Sequence, residues 1–366
     1  MLLGVALHAM LSFTDMDWAV KDVRASGAPG LLVAAVHGFR MQLFFLLAGY
    51  FAGELLGHRG VRGFIANRTR RIALPLALSC VTVVPASWAV TWWVSDGRAT
   101  LAIRELLAPL PWVPWLVVFP VLGHLWFLWH LCWMLAALLA VHALAARVPW
   151  LRLPAMLVRT PLCLLWLVPL TAVLAAPMGM WGTRPSFGAD TSAGVLPMPH
   201  VLLYYGAFFA FGAIASGIPG AISGMARGWW AWLAVAVLVF LPAAILGALA
   251  PEAERMFPDP GARRAAMLVG GATYAWCMTL GLLGAFGAIR PRERPWMRWL
   301  ADSSYWVYLA HLPVVVLLQW AVADVQAPGP AKFALVLAAT MAVTLATYAW
   351  AIRPTWVGRM LNGPRP

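Results

Sequence analysis

Residues 31–57 read LLVAAVHGFRMQLFFLLAGYFAGELLG. As a helix this stretch would rise about 40 Å at 1.5 Å per residue, enough to cross the roughly 30 Å hydrocarbon core of a bilayer. Toward its start stand His37 and Arg40, both ionisable, three apart and therefore on one helix face. Ionisable groups at membrane depth are costly, so they are functional candidates by default. Whether 31–57 is a membrane span decides the fold, because nine other stretches read alike. Taking roughly 20 residues per span, the hydrophobic segments are 1–14, 31–57, 72–94, 124–146, 160–178, 200–218, 228–249, 265–289, 301–322 and 332–351.

Composition supports the membrane reading. Of 366 residues, 63% are hydrophobic and only 11% charged, where a soluble domain runs near a quarter charged. The 22 Trp suit interfacial belts, and the 31 Gly and 28 Pro are tolerated in membrane helices. The expectation is an all-α polytopic membrane protein with about ten transmembrane helices in one domain, 1–366. Between the spans no soluble domain fits. The longest gap, 95–123, contains LAPLPWVPWLVVFP, too irregular to span and read as lying on the membrane or dipping into it.

The net charge of +13 would suggest nucleic acid in a soluble protein. Here the Arg residues cluster in short loops, so the excess reads as topology and no nucleic-acid partner is expected. With a cytoplasmic N-terminus and ten spans, the cytoplasmic loops and tail hold sixteen Lys and Arg, and the opposite side eight. That bias predicts both termini in the cytoplasm. The four cysteines each fall in an apolar segment, without a CxxC pair, and read as packing residues, not disulfides or metal ligands. No Walker loop, GxSxG or HExxH is present, and neither a metal nor a permanently bound cofactor is expected.

Polar residues in the other spans extend the candidate set. His8 sits mid-run in MLLGVALHAML. From Met1 to Phe13 that run would rise only about 20 Å, short of a bilayer core. His8 reads equally as a site residue or as a histidine bonded to a neighbouring helix. Arg40 either snorkels to the outer headgroups or points into a polar cavity; Gln42 beside it favours the cavity. GHLWFLWHLCW brings His124, Trp126 and His130, and Asp302, Ser303, Ser304 and Tyr305 precede His311 by two turns.

These pieces come in order: LLGVALHAML, FRMQLFFLLAGYF, RTRRIALP, HLWFLWHL and SSYWVYLAHLPVV. In that order they resemble the membrane-bound acyltransferase 3 family. Within it they are most similar to the glucan biosynthesis protein C group, which succinylates osmoregulated periplasmic glucans. The resemblance implies O-acyl transfer from cytoplasmic acyl-CoA, succinyl-CoA or acetyl-CoA, to a carbohydrate hydroxyl across the membrane. It maps the family histidine onto His8, as general acid–base, and the family RxxR onto Arg68 and Arg71, one turn apart, as a clamp for the CoA phosphates. Ordinary positive-inside anchoring is the other reading of that pair. His37, Arg40, Gln42, His124, Trp126, Tyr305 and His311 are the expected substrate-binding residues. Arg40 would suit the free carboxylate of a succinyl group, or the acceptor, given its sequence position toward the outer end of its span. The family places an Arg about ten residues before its His, upstream of Met1 here, so a first helix truncated at its N-terminus is expected. Ala48 stands where many members carry Ser. Two further readings stay open: a transporter or flippase of a sugar or acyl carrier, and an inactive truncated family member.

Overall fold

The structure, a computed structural model, describes residues 2–96, 116–117, 119–145, 158, 161–178, 189–221, 224, 227–248, 259–289 and 294–363. Among these residues every regular element is helical. In chain order they are α1 (Leu2–Leu11), α2 (Ala28–Arg68), α3 (Leu74–Val81), α4 (Val83–Val94), α5 (Trp126–Ala145), α6 (Leu164–Ala175), α7 (Pro199–Ser216), α8 (Trp229–Ala248), α9 (Pro260–Ile289), α10 (Pro295–Val322), α11 (Gly329–Thr347) and α12 (Trp356–Asn362). A π-helical turn, Thr69–Ala73, joins α2 to α3, and another, Tyr348–Ile352, follows α11. The expected surface segment 95–123 lies largely outside the described residues.

The boundaries follow from local chemistry. Proline sits in the first turn of α2, α7, α10 and α11, where its missing N–H would have had no intrahelical partner and its fixed φ suits a helix start. Within α2 the backbone breaks at Gly60, φ +63°, a left-handed conformation that glycine takes without penalty. The apolar run 31–57 ends just before this break, and the basic stretch Arg59–Arg68 spans it.

Among the described residues six helical tracts are long and apolar enough to cross a membrane: Ala28–Val94, Gly123–Ala145, Pro199–Ser216, Pro260–Ala288, Pro295–Val322 and Gly329–Ile352. Leu2–Leu11, Leu164–Ala175 and Trp229–Phe240 are apolar but shorter. Each of the ten hydrophobic segments of the sequence overlaps one of these nine helical tracts, two of them (31–57 and 72–94) sharing the first. Large apolar side chains face outward on many helices, among them Val81, Leu165, Val173, Leu238 and Trp350. Such helices, apolar all round, are those of a multi-pass membrane protein.

The main core lies where α7 runs along α2, with α5, α6, α9 and α10 around them. Phe45 packs on Phe127 and Tyr205, and Phe208 stacks on Trp276. Two glycines allow the close approach of α2 and α7. A Cβ on Gly49 would strike the backbone of Phe209, and one on Gly212 the backbone of Leu46. Small residues at such crossings let helix backbones touch in a membrane, where packing replaces the hydrophobic drive.

The short α1 is wedged against α2, α10 and α11. Its connection to α2 is pinned by a buried ion pair: Lys332 Nζ lies 2.6 Å from Asp22 Oδ2. The same ammonium donates to the carbonyls of Val322 (3.2 Å), Ala323 (3.2 Å) and Val325 (2.9 Å). One buried cation thus ties the α1–α2 loop to the α10–α11 turn.

Candidate active site

Two opposite demands place His8. Val5 and Ala9 of α1 pack on Val307 and Val315 of α10 and Val336 of α11, while Leu7 and Leu11 pack on Val33 of α2. That leaves Gly4 and His8, four apart and so on one face, to line a polar cavity. The end of α1 is fully paired, although helix ends leave four carbonyls without intrahelical partners. Gln319 Nε2 donates to the carbonyls of His8 (2.9 Å) and Ala9 (3.1 Å). The amides of Phe13 and Thr14 take those of Met10 (2.9 Å) and Leu11 (3.2 Å). Trp18 Nε1 donates in turn to Gln319 Oε1 at 2.8 Å, and its ring lies parallel to that of His8, 5.9 Å away.

A proline builds the opposite wall. Pro313, inside α10, has no N–H to offer the Leu309 carbonyl one turn back. That carbonyl accepts instead from His124 Nε2 at 3.0 Å. His124 reaches it from the turn Gly123–Leu125, whose Gly123 has φ +49°, and the Tyr308 hydroxyl donates to the His124 carbonyl at 2.9 Å. Beside them His311 Nδ1 lies 2.8 Å from the Tyr308 carbonyl and 3.1 Å from that of Val307. Its Nε2 is 2.8 Å from His8 Nδ1.

Arg40 closes the cavity. Its side chain is buried, and among the described residues its Nε and Nη1 have no hydrogen-bond partner. The guanidinium comes against Gly4, where an added Cβ would sit 3.4 Å from Nη1. The enclosed volume is about 50 Å³, lined by His8, Arg40, His124, Trp126, Tyr308 and His311 with Gly4, Met41, Phe44 and Phe127. A water needs about 10–15 Å³ by this measure, so several heavy atoms of a ligand fit. Among the described residues no carboxylate lines the cavity to balance the guanidinium. On the other face of α10, Leu309, Ala310 and Pro313 border a larger apolar cavity of about 480 Å³.

The structure therefore brings together five of the expected site residues: His8, Arg40, His124, Trp126 and His311. Others stand apart from the cavity. His37 Nε2 pairs with the Ala189 carbonyl at 2.8 Å, and Gln42 Nε2 donates to the Tyr204 hydroxyl at 3.3 Å. The Tyr305 hydroxyl donates to the Arg71 carbonyl at 2.8 Å. Arg68 donates to the Phe51 carbonyl (2.8 Å) and lies over the Phe64 ring, while Arg71 donates to the Asn362 carbonyl (2.9 Å). The π turn that starts between them sends the two guanidinia to different elements. Sequence reasoning missed Gly4, Tyr308, Gln319 and Trp18. Gln319 was findable, as an amide two turns beyond His311 in an apolar helix; Trp18, in a loop, gave no signal. Among the described residues no group of three His, Cys, Asp or Glu side chains is placed to hold a metal ion.

Fold and site together define a multi-pass helical membrane protein with a histidine- and arginine-lined cavity among its helices. Residues 1–349 match the family model of an acyltransferase domain, acyltransferase 3, and the chain belongs to that family. It is similar to the glucans biosynthesis protein C of Salmonella paratyphi B (strain ATCC BAA-1250 / SPB7) and of Salmonella heidelberg (strain SL476), 27% identical over 131 residues in each. Those alignments cover 35% of this chain and 32%, about a third, of the relatives' length. No solved structure matches.

Proposed function

We propose that this acyltransferase moves an acyl group from acyl-CoA on the cytoplasmic face to a hydroxyl of a carbohydrate on the other face, a periplasmic glucan being the favoured acceptor. The observation that carries this reading is one cavity holding both an imidazole and a guanidinium, with no counter-charge among the described residues. Acyl transfer uses both. His8 takes the proton of the attacking hydroxyl as the new C–O bond forms, and returns it to the sulfur as the C–S bond breaks. Arg40 meets the negative charge that develops on the carbonyl oxygen, in a site where little water screens it.

The topology that suits this chemistry has ten spans, both termini cytoplasmic, in the bacterial inner membrane. In that orientation α1 runs outward. Gly4, with the Arg40 guanidinium against it, then lies about 6 Å on the cytoplasmic side of His8. Arg40 so belongs to the acyl donor and not, as its position in the sequence suggested, to the acceptor. Succinyl-CoA is the favoured donor because a free succinyl carboxylate is a second anion this guanidinium suits; acetyl-CoA is the alternative. Arg68, the last residue of α2, and Arg71, in the π turn that follows, are the residues for the CoA phosphates, each keeping N–H groups beyond its carbonyl contact.

The test is release of free thiol from succinyl-CoA and acetyl-CoA by the purified protein in detergent, with and without glucan. Protein-dependent thiol release, raised by glucan, is expected. No release from either donor, together with uptake of sugar or acyl carrier into proteoliposomes, would replace the transferase by a transporter.

A further inference from the structure

We propose that His311 is a positioning residue that holds His8 in its Nδ1–H tautomer, so that His8 Nε2 is the atom that takes the acceptor's proton. The proposal rests on the acyltransferase reading for its chemistry, but its geometry stands alone.

The tautomers follow from which atoms can only accept. Backbone carbonyls carry no proton, so His311 Nδ1, 2.8 and 3.1 Å from two of them, must be an N–H donor. A neutral imidazole has one N–H, which leaves His311 Nε2 as an acceptor. The proton in the 2.8 Å contact between the two rings therefore sits on His8 Nδ1. His8 Nε2 is left with its lone pair, and it makes no hydrogen bond among the described residues. The rings lie within 9° of parallel with centroids 5.1 Å apart, an arrangement that accommodates an in-plane N–H···N contact. Trp18 and the Gln319 grip on the His8 carbonyl keep the imidazole from swinging away. His124 does not compete, because its Nε2–H is given to Leu309.

In the reaction the hydroxyl proton passes to His8 Nε2 as oxygen bonds to the thioester carbonyl carbon. His8 is then an imidazolium, still donating through Nδ1 to His311. As the C–S bond breaks, its electron pair leaves on sulfur and the Nε2 proton follows. His311 keeps its own proton throughout. A carboxylate could orient His8 too, but it would bury an anion at membrane depth. A neutral histidine fixed by two carbonyls orients the ring without one.

The experiment uses His311→Leu and His311→Gln in the full chain, with two readouts. The first is steady-state acyl transfer. His311→Leu should lower kcat by about 10²–10⁴, the range for a mis-set general base, with the KM for acyl-CoA within about twofold. His311→Gln, whose amide oxygen can accept from His8 Nδ1–H, should recover at least tenfold of that loss. The second is carbethoxylation of His8 by diethyl pyrocarbonate, followed by peptide mass spectrometry; it needs no turnover. His8 should react at least tenfold more slowly in His311→Leu than in the wild type, and at an intermediate rate in His311→Gln. Unchanged kcat, a loss carried by KM, or unchanged His8 labelling in His311→Leu overturns the proposal. If the wild type transfers no acyl group while the labelling still depends on residue 311, the tautomer assignment holds and the acyltransferase reading fails instead.

Discussion

Replacing Arg40 by methionine should make the protein more stable and much less active. Arg40 is buried, and among the described residues two of its nitrogens lack partners and no carboxylate lies beside it. Each buried unpaired polar group costs about 1–3 kcal/mol, so Nε and Nη1 together cost about 2–6 kcal/mol. Methionine fills much of the same space without those groups. At about 2 °C per kcal/mol, the lower figure for larger proteins, the melting temperature should rise by at least about 4 °C. Intrinsic tryptophan fluorescence reads it, since the chain carries 22 Trp. The same change removes donors aimed at the developing oxyanion, a loss of about 10²–10³ in kcat. Strain tolerated in the resting protein and relieved in the reaction is the pattern of a functional site. A variant that melts lower would show that the guanidinium is satisfied in the resting state. One that melts higher and keeps its kcat would show that Arg40 plays no part in the chemistry.

Pro313→Ala should restore an N–H for the Leu309 carbonyl and draw it from His124; a competing hydrogen bond of about 1 kcal/mol would cut kcat roughly fivefold, read in the thiol-release assay. Lys332→Met leaves Asp22 buried without its cation; breaking such a pair costs about 3–5 kcal/mol, and the loop next to His8 should become protease-sensitive before the rest of the chain. Arg68→Ala with Arg71→Ala should raise the KM for acyl-CoA more than it lowers kcat, because phosphate binding is shared by ground and transition states. An unchanged KM with a looser C-terminal helix would leave the two arginines as anchors of α2 and α12.

The helices were legible because a bilayer sets a blunt rule: twenty apolar residues need one backbone solution. Each of the ten apolar stretches overlaps a helical tract, and the run 31–57 ends three residues before the break at Gly60. The same rule made His8, Arg40, His124 and His311 visible as polar groups in apolar runs. It could not say how far apart they lie. Arg40 reads as close to the outer end of its span because it stands only nine residues after the start of the run 31–57. The structure sets its guanidinium against Gly4 because α1 ends only three residues after His8. Nor could sequence show that Pro313 frees a carbonyl for a histidine 185 residues away, or that Gln319 caps α1 across more than 300 residues. Those contacts depend on which helices become neighbours, and periodicity carries no such information.

The account stands or falls on His8 as the base. The direct measurement is single-turnover transfer of a labelled acyl group from acyl-CoA to glucan, comparing wild type with His8→Ala in the same membranes at matched protein levels. The account predicts that His8→Ala binds acyl-CoA with unaltered affinity and transfers it about 10²–10⁴ more slowly. Transfer by His8→Ala within a few-fold of wild type would contradict it and move the chemistry to another group in the cavity.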